Sequence, residues 1–144
     1  MSINFFNEGI KLKLADKRIL KKWVSYIIEE EKGKLGEINF IFSSDEYVKE
    51  INEKYLHHNY YTDIITFNYN ENGTLNGDIF ISVDTVRDNA IKYHVSFENE
   101  IKRVIIHGVL HLLGYDDVNK NLKSQIRKKE NYAIDIFYFK FLIK

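Results

Sequence analysis

The stretch from Ser96 to Leu113 restricts the possible folds more than any other, because its signals are helical and it is apolar on nearly every side. Ser96 is a helix-capping residue type. Glu98 and Glu100 put negative charge in the first turn, against the positive end of the helix dipole. Val104, Ile105, Ile106, Val109, Leu110, Leu112 and Leu113 leave no broad polar face. Such a helix is stable only when other elements surround it. The chain must therefore build layers around it, and polar side chains it carries inward need partners. Two of these, His107 and His111, lie in its last turns.

Their spacing puts both imidazoles on one helix face, about 6 Å apart along the axis. The rings can converge on one ion. Gly114 can take the left-handed conformation that ends a helix, and the returning chain then presents Asp117 as a third ligand. Three protein ligands leave a position open, as in catalytic rather than structural zinc sites. The chain has no cysteine, so thiolate ligands and disulfides are excluded and His, Asp and Glu remain. One Zn²⁺ is the expected cofactor, and the oxygen ligand also admits Mn²⁺ or Fe²⁺. The spacing His107, His111, Gly114, Asp117 also resembles that of the metzincin peptidases. Those enzymes need a glutamate directly after the first histidine as general base, and this chain has Gly108 there. A zinc peptidase is thereby disfavoured. The glycine is expected to permit close approach of backbone or substrate to the metal.

At 144 residues the chain suits one domain, 1–144, read as a metal-dependent hydrolase. No apolar run reaches the roughly 18 residues that cross a bilayer. Met1 to Phe6 lacks the sequence of features of a secretion signal. Together with the missing cysteines, this points to a cytoplasmic protein with no membrane partner. The formal net charge is zero, which counts against broad, nonspecific RNA affinity. The charge is uneven, however: Lys120, Lys123, Arg127, Lys128 and Lys129 follow the candidate site. They read either as a solvated helix face or as an electrostatic guide for phosphates.

Strands are expected at 3–6, 37–42, 62–67 and 78–83, and helices at about 16–32, 84–94, 97–113 and 119–141. Ser43 and Glu46 have capping-box spacing and open a further helix to about Tyr55. Gly33 and Gly36 end the first helix, and 73–77 makes a turn between two antiparallel strands. Val86, Ala90 and Ile91 are expected to face inward. The fold class is α+β: a small mixed four-stranded sheet packed with about five helices, with the metal site at the end of the buried helix. The aromatic cluster at 136–142 reads as core or as a partner contact.

The run His107-Gly108-Val109-Leu110-His111-Leu112-Leu113-Gly114-Tyr115-Asp116 resembles the motif of YbeY-type endoribonucleases, the bacterial rRNA maturation factors, written His-Gly-x-Leu-His-Leu-x-Gly-Tyr-Asp-His. Asn52-Glu53-Lys54-Tyr55, Thr62-Asp63-Ile64-Ile65-Thr66-Phe67 and Gly77-Asp78-Ile79-Phe80-Ile81 resemble further segments of that family. The resemblance implies metal-dependent cleavage of single-stranded RNA, in 16S rRNA 3′-end maturation and ribosome quality control. The implied partners are single-stranded RNA and the small ribosomal subunit. A ribosome-associated RNA-binding factor with weak or no catalysis is the alternative. Asp63 and Asp78 fall where family strands border the cleft, and each is a candidate to orient a metal-bound histidine. Tyr115 and Asp116 shape the turn before Asp117 or touch substrate. Tyr55, Tyr60 and Tyr61 stack on unpaired bases or pack internally.

Two positions depart from the family pattern. Its Arg after the Tyr is Leu56 here, and its third His is Asp117. His57 and His58 follow Leu56 and offer a positive or proton-donating group in its stead, the alternative being two surface loop histidines. A divalent ion with two neutral histidines and one carboxylate carries one positive charge fewer than with three histidines. Its water is then less acidic. Asp117→His should shift the pH–rate profile of the metal-loaded protein to lower pH; an unmoved profile would reject this charge argument.

Overall fold

The apolar helix lies at the centre of the molecule, as its composition requires. In the computed structural model, which describes residues 1–58 and 62–142, it runs Phe97–Leu112 and is the fourth of five α-helices (α4). Ile105, Ile106, Val109, Leu110 and Leu112 are buried. The other elements are strands β1 (Ser2–Asn7), β2 (Lys34–Ser43), β3 (Ile64–Asn68) and β4 (Thr74–Ser82), and helices α1 (Lys17–Glu30), α2 (Asp45–Leu56), α3 (Val83–Lys92) and α5 (Lys120–Ile136). A π-helical turn, Phe137–Leu142, closes the described chain and replaces the expected continuation of α5.

The sheet has four strands in the order β1-β2-β4-β3. β1 and β4 run parallel to β2, and β3 runs antiparallel to β4, so the sheet is mixed, as expected. Strand alternation gives it two different faces. Ile38, Phe40 and Phe42 of β2 pair with Gly77, Ile79 and Ile81 of β4 on the buried face against α4. The opposite face carries a polar ladder. Asn4 Nδ2 donates to Asn39 Oδ1 at 2.9 Å, and Asn39 Nδ2 donates to Asp78 Oδ1 at 3.0 Å. Trp23 of α1 donates from Nε1 to the Ala133 carbonyl at 2.7 Å and meets the Phe137 ring edge-on, which ties α1 to the C-terminal elements.

Several local expectations are corrected. Ser44, not Ser43, caps α2 by accepting from Tyr47 N; Ser43 is buried at the end of β2. Ile91 is exposed, while Val86 and Ala90 of the same helix face inward. Gly36 lies within β2, where the β2–β4 register shifts, and does not end α1. Gly77 is not a turn residue but lies within β4; the tight reversal is at 71–74. A Cβ at Gly77 would come within 2.7 Å of the Phe67 carbonyl oxygen and 2.8 Å of Leu112 Cδ2. Glycine thus lets β3 and α4 close on β4 at one point. Phe137 joins the core, whereas Phe139 is exposed. Gly77→Ala should therefore lower unfolding free energy by about 1–3 kcal/mol in urea titrations, the cost of overpacking a close contact. An unchanged midpoint would place the residue in an unconstrained turn instead.

Candidate metal centre

The end of α4 is fixed before its histidines are used. Gly114 has φ +104°, its N–H donates to the His111 carbonyl at 3.0 Å, and the Tyr115 N–H donates to the Leu110 carbonyl at 3.0 Å. This is a Schellman ending, as the glycine leads one to expect. Asn70 of the β3–β4 loop donates to the Leu112 carbonyl at 2.8 Å, satisfying another terminal acceptor. The chain then turns at Asp116, whose side chain accepts from Val118 N, and re-enters helix at Asn119, the N-cap of α5. Asp117 lies in this short return and faces the two histidines.

Each imidazole is oriented through its Nδ1. His107 Nδ1 lies 2.6 Å from Glu130 Oε2, and His111 Nδ1 lies 3.0 Å from the Tyr115 carbonyl. A carboxylate and a carbonyl accept, so both Nδ1 atoms donate and, in the neutral rings that metal ligation requires, both Nε2 atoms present lone pairs. Those Nε2 atoms are 2.9 Å apart. Asp117 Oδ2 stands 3.7 Å from the first and 3.9 Å from the second. Three acceptors this close repel one another unless a cation lies among them. A point equidistant from them lies about 2.1 Å from each, the length of zinc–nitrogen and zinc–oxygen bonds. The donor set thus fits a divalent ion, and His107, His111 and Asp117 are the residues that would hold it.

Glu130 is the residue that sequence reasoning missed. It is buried, and its second oxygen accepts from Arg103 Nη1 at 3.0 Å. The signal was present: Ile126, Glu130, Ala133 and Phe137 lie along one stripe of the C-terminal helix, and Glu130 is the charged member of an otherwise apolar face. Asp63 and Asp78 do not orient the histidines, because both Nδ1 atoms are already partnered. Asp78 is on the far face of the sheet, bonded to Asn39. Asp63 does lie beside His107, in the same cavity. Burial pushes its carboxyl up, with the His107 charge only partly opposing. Burial likewise pulls the His107 imidazole down, but Glu130, Asp63 and Asp117 outweigh it and the group ends above its usual value. His111 ends below its usual value, through burial and then the His107 charge.

Gly108 does not face the metal ligands. A Cβ there would meet Ile64 Cδ1 at 2.9 Å and Ile79 Cγ2 at 2.9 Å, so the glycine seats α4 flat against β3 and β4. That overturns the expectation that it opens the backbone to metal or substrate. Two cavities flank the ligands. One, of ≈ 270 Å³, contains His107, Asp117, Arg103, Lys123, Arg127 and Glu130. The other, of ≈ 540 Å³, contains His111, Asp117, Leu56 and His58. His57 takes a left-handed conformation (φ 58°) at the end of α2 and lines neither. Tyr60 and Tyr61 lie outside the described residues; Tyr55 is exposed and meets Phe67 edge-on.

The Endoribonuclease YbeY family profile matches residues 2–137. This chain belongs to the YbeY family. It is 43% identical over 136 residues to the Endoribonuclease YbeY of Parabacteroides distasonis, covering 94% of this chain and 96% of that one. It is 45% identical over 132 residues to the Endoribonuclease YbeY of Porphyromonas gingivalis, covering 92% and 87% respectively. The solution structure of TM1509 from Thermotoga maritima superposes with a TM-score of 0.66 at 28% identity, covering 93% of this chain and 87% of that one. Within this YbeY fold, the Glu130 contact makes a clear prediction. Glu130→Ala should weaken zinc binding about 10–100-fold in chelator competition, the usual effect of losing a carboxylate behind a ligating histidine. Unchanged affinity would deny that Glu130 positions His107.

Proposed function

We propose that this protein is a metal-dependent endoribonuclease that cleaves single-stranded RNA, acting in 16S rRNA 3′-end maturation and ribosome quality control. The observation that carries this reading is the convergence of two Nε2 atoms and the Asp117 carboxylate between two open cavities of mixed polarity. Membership of the YbeY family supports the choice of RNA as substrate. His107, His111 and Asp117 would hold one Zn²⁺, with Mn²⁺ or Fe²⁺ also admissible, which would supply Lewis-acid polarisation of a phosphoryl oxygen and activation of the attacking oxygen. No helix among the described residues is long and apolar enough to cross a membrane.

The chain's own residues supply orientation and charge. Glu130 and the Tyr115 carbonyl hold the imidazoles in the ligating tautomer. Asp63, Glu100, Asp117 and Glu130 make the His107 cavity attractive to a cation and, without relief, repellent to phosphate. Relief comes from the basic helix α5, whose charges the fold sorts. Lys129 is engaged by Glu31 at 2.7 Å on a different face. Arg103 is held by Glu130 and by Asn131. Lys123 and Arg127 line the metal-side cavity, and Arg127 is only 3.9 Å-paired with Glu130 and largely exposed. These two cations receive the RNA phosphates flanking the reacting one.

On the other side, Leu56 occupies the cavity wall where the family pattern has Arg, and His58 lines the same wall. His58, with His57 beside it, supplies the positive or proton-donating group there. Tyr55 offers an exposed ring for a splayed base. Alanine at His57 and His58 together should slow cleavage of single-stranded RNA at least tenfold while the zinc content stays unchanged. Arg127→Ala should instead raise KM and flatten the salt dependence of binding, by about 0.7 in log–log slope for one lost phosphate contact. RNA retained without cleavage by the zinc-loaded wild type would contradict the nuclease reading. Cleavage of casein instead would favour a peptidase.

A further inference from the structure

A third cavity, of ≈ 610 Å³, shares no lining residue with the two beside the metal ligands. It lies between the segment 11–16, the start of α1, the first turns of α4 and the C-terminal π-helical turn. Its size falls among small-molecule sites, about 300–1,000 Å³. Leu12, Ile19, Phe97, Ile101 and Phe137 give it an apolar wall. Into this wall projects Lys102, a residue only 9% exposed.

Lys102 lacks the partner that a buried ammonium needs. Its Nζ carries three hydrogen-bond donors, and among the described residues it makes one hydrogen bond, to the Glu98 carbonyl at 3.3 Å. Among the described residues no carboxylate comes within ion-pair distance of it; the Glu98 carboxylate, one turn earlier, acts on it only through its charge. The faces of Phe137 and Tyr138, with centroids at 4.5 Å and 5.6 Å, offset part of the desolvation of the charge. Burial pulls its pKa down, and the Glu98 charge only partly opposes this. Lys11, Lys13 and Arg87 add positive charge around the cavity; of the two acids there, Asp16 is engaged in capping α1, and Glu98 offsets part of the Lys102 charge without a direct ion pair.

We propose that this cavity is a binding site for an amphipathic organic anion, whose carboxylate pairs with Lys102 and whose apolar body lies against Phe97, Ile101 and Phe137. The site is separate from the metal centre and its occupancy does not depend on the nuclease reading. An apolar cavity alone takes an uncharged ligand, and a cation alone takes a hydrated anion. The buried, incompletely partnered cation within apolar walls selects a molecule that is both.

The probe is sodium decanoate, titrated calorimetrically into the full-length protein with and without zinc, with decanol as the uncharged counterpart. Decanoate should bind saturably at one site in both preparations, and decanol at least tenfold more weakly. Lys102→Met keeps a linear side chain but removes the charge; it should weaken decanoate at least tenfold and leave decanol unchanged. Decanoate should raise the melting temperature of the wild type and not that of Lys102→Met. Ala15→Trp obstructs the cavity from an exposed segment without touching α4, so it serves if Lys102→Met does not fold, and it should abolish binding. The proposal is overturned by absence of saturable binding, or by equal decanoate affinity in wild type and variant. Decanoate heat that vanishes on zinc removal would overturn it as well, by placing the anion at the metal ligands.

Discussion

The hydrogen bond between His107 Nδ1 and the buried Glu130 carboxylate is the contact on which the rest of the metal centre depends. At 2.6 Å it commits that nitrogen as donor and turns the Nε2 lone pair toward His111. The Tyr115 carbonyl does the same for His111. With both rings neutral, neither imidazole can satisfy the other, because each presents an acceptor. The fold therefore holds in place a repulsion that a divalent cation removes, and Asp117 completes the same cluster. The other oxygen of the buried Glu130 is paired with Arg103, so the network reaches from α5 through α4 without leaving a charge alone.

That network is possible because α4 is enclosed. Gly108 and Gly77 remove side chains where the helix meets β4, one on each element, and allow Ile79 and Leu112 to close the gap. The packed helix cannot rotate without exposing Ile105, Ile106 and Leu110. Its histidine face is thus fixed by the hydrophobic core on its other sides. Asn70 and the Schellman ending then determine where the chain leaves the helix, and so where Asp117 arrives. A rigid scaffold would supply two ligands and a short, anchored return the third.

Much of this was legible in the chain itself. The apolar composition of 97–113 made it the central helix, and the spacing of His107, His111, Gly114 and Asp117 pointed to the cluster that could hold a metal ion. The mixed four-stranded sheet followed from the order of apolar runs. Errors arose where tertiary contacts decide. Gly77 looked like turn punctuation because glycine usually is, but its role is a close approach between elements distant in sequence. Gly108 was assigned to the metal because of its neighbours in sequence, although the helix turns that position toward the sheet. The family resemblance put Asp78 at the border of the cleft, yet strand alternation puts it on the far face. Glu130 was hidden inside a run of lysines and arginines; only its place on the apolar stripe of α5 distinguished it. Ser43 and Ser44 are adjacent and chemically equivalent as caps, and the extra strand residue that decides between them is set by pairing with β4.

A crystal structure of the zinc-loaded protein would decide whether this cluster is a metal site. One ion should be bound by Nε2 of His107, Nε2 of His111 and the Asp117 carboxylate, with Glu130 still on His107 Nδ1. Density for an ion held through either Nδ1, or these three side chains pointing apart with no ion among them, would contradict it.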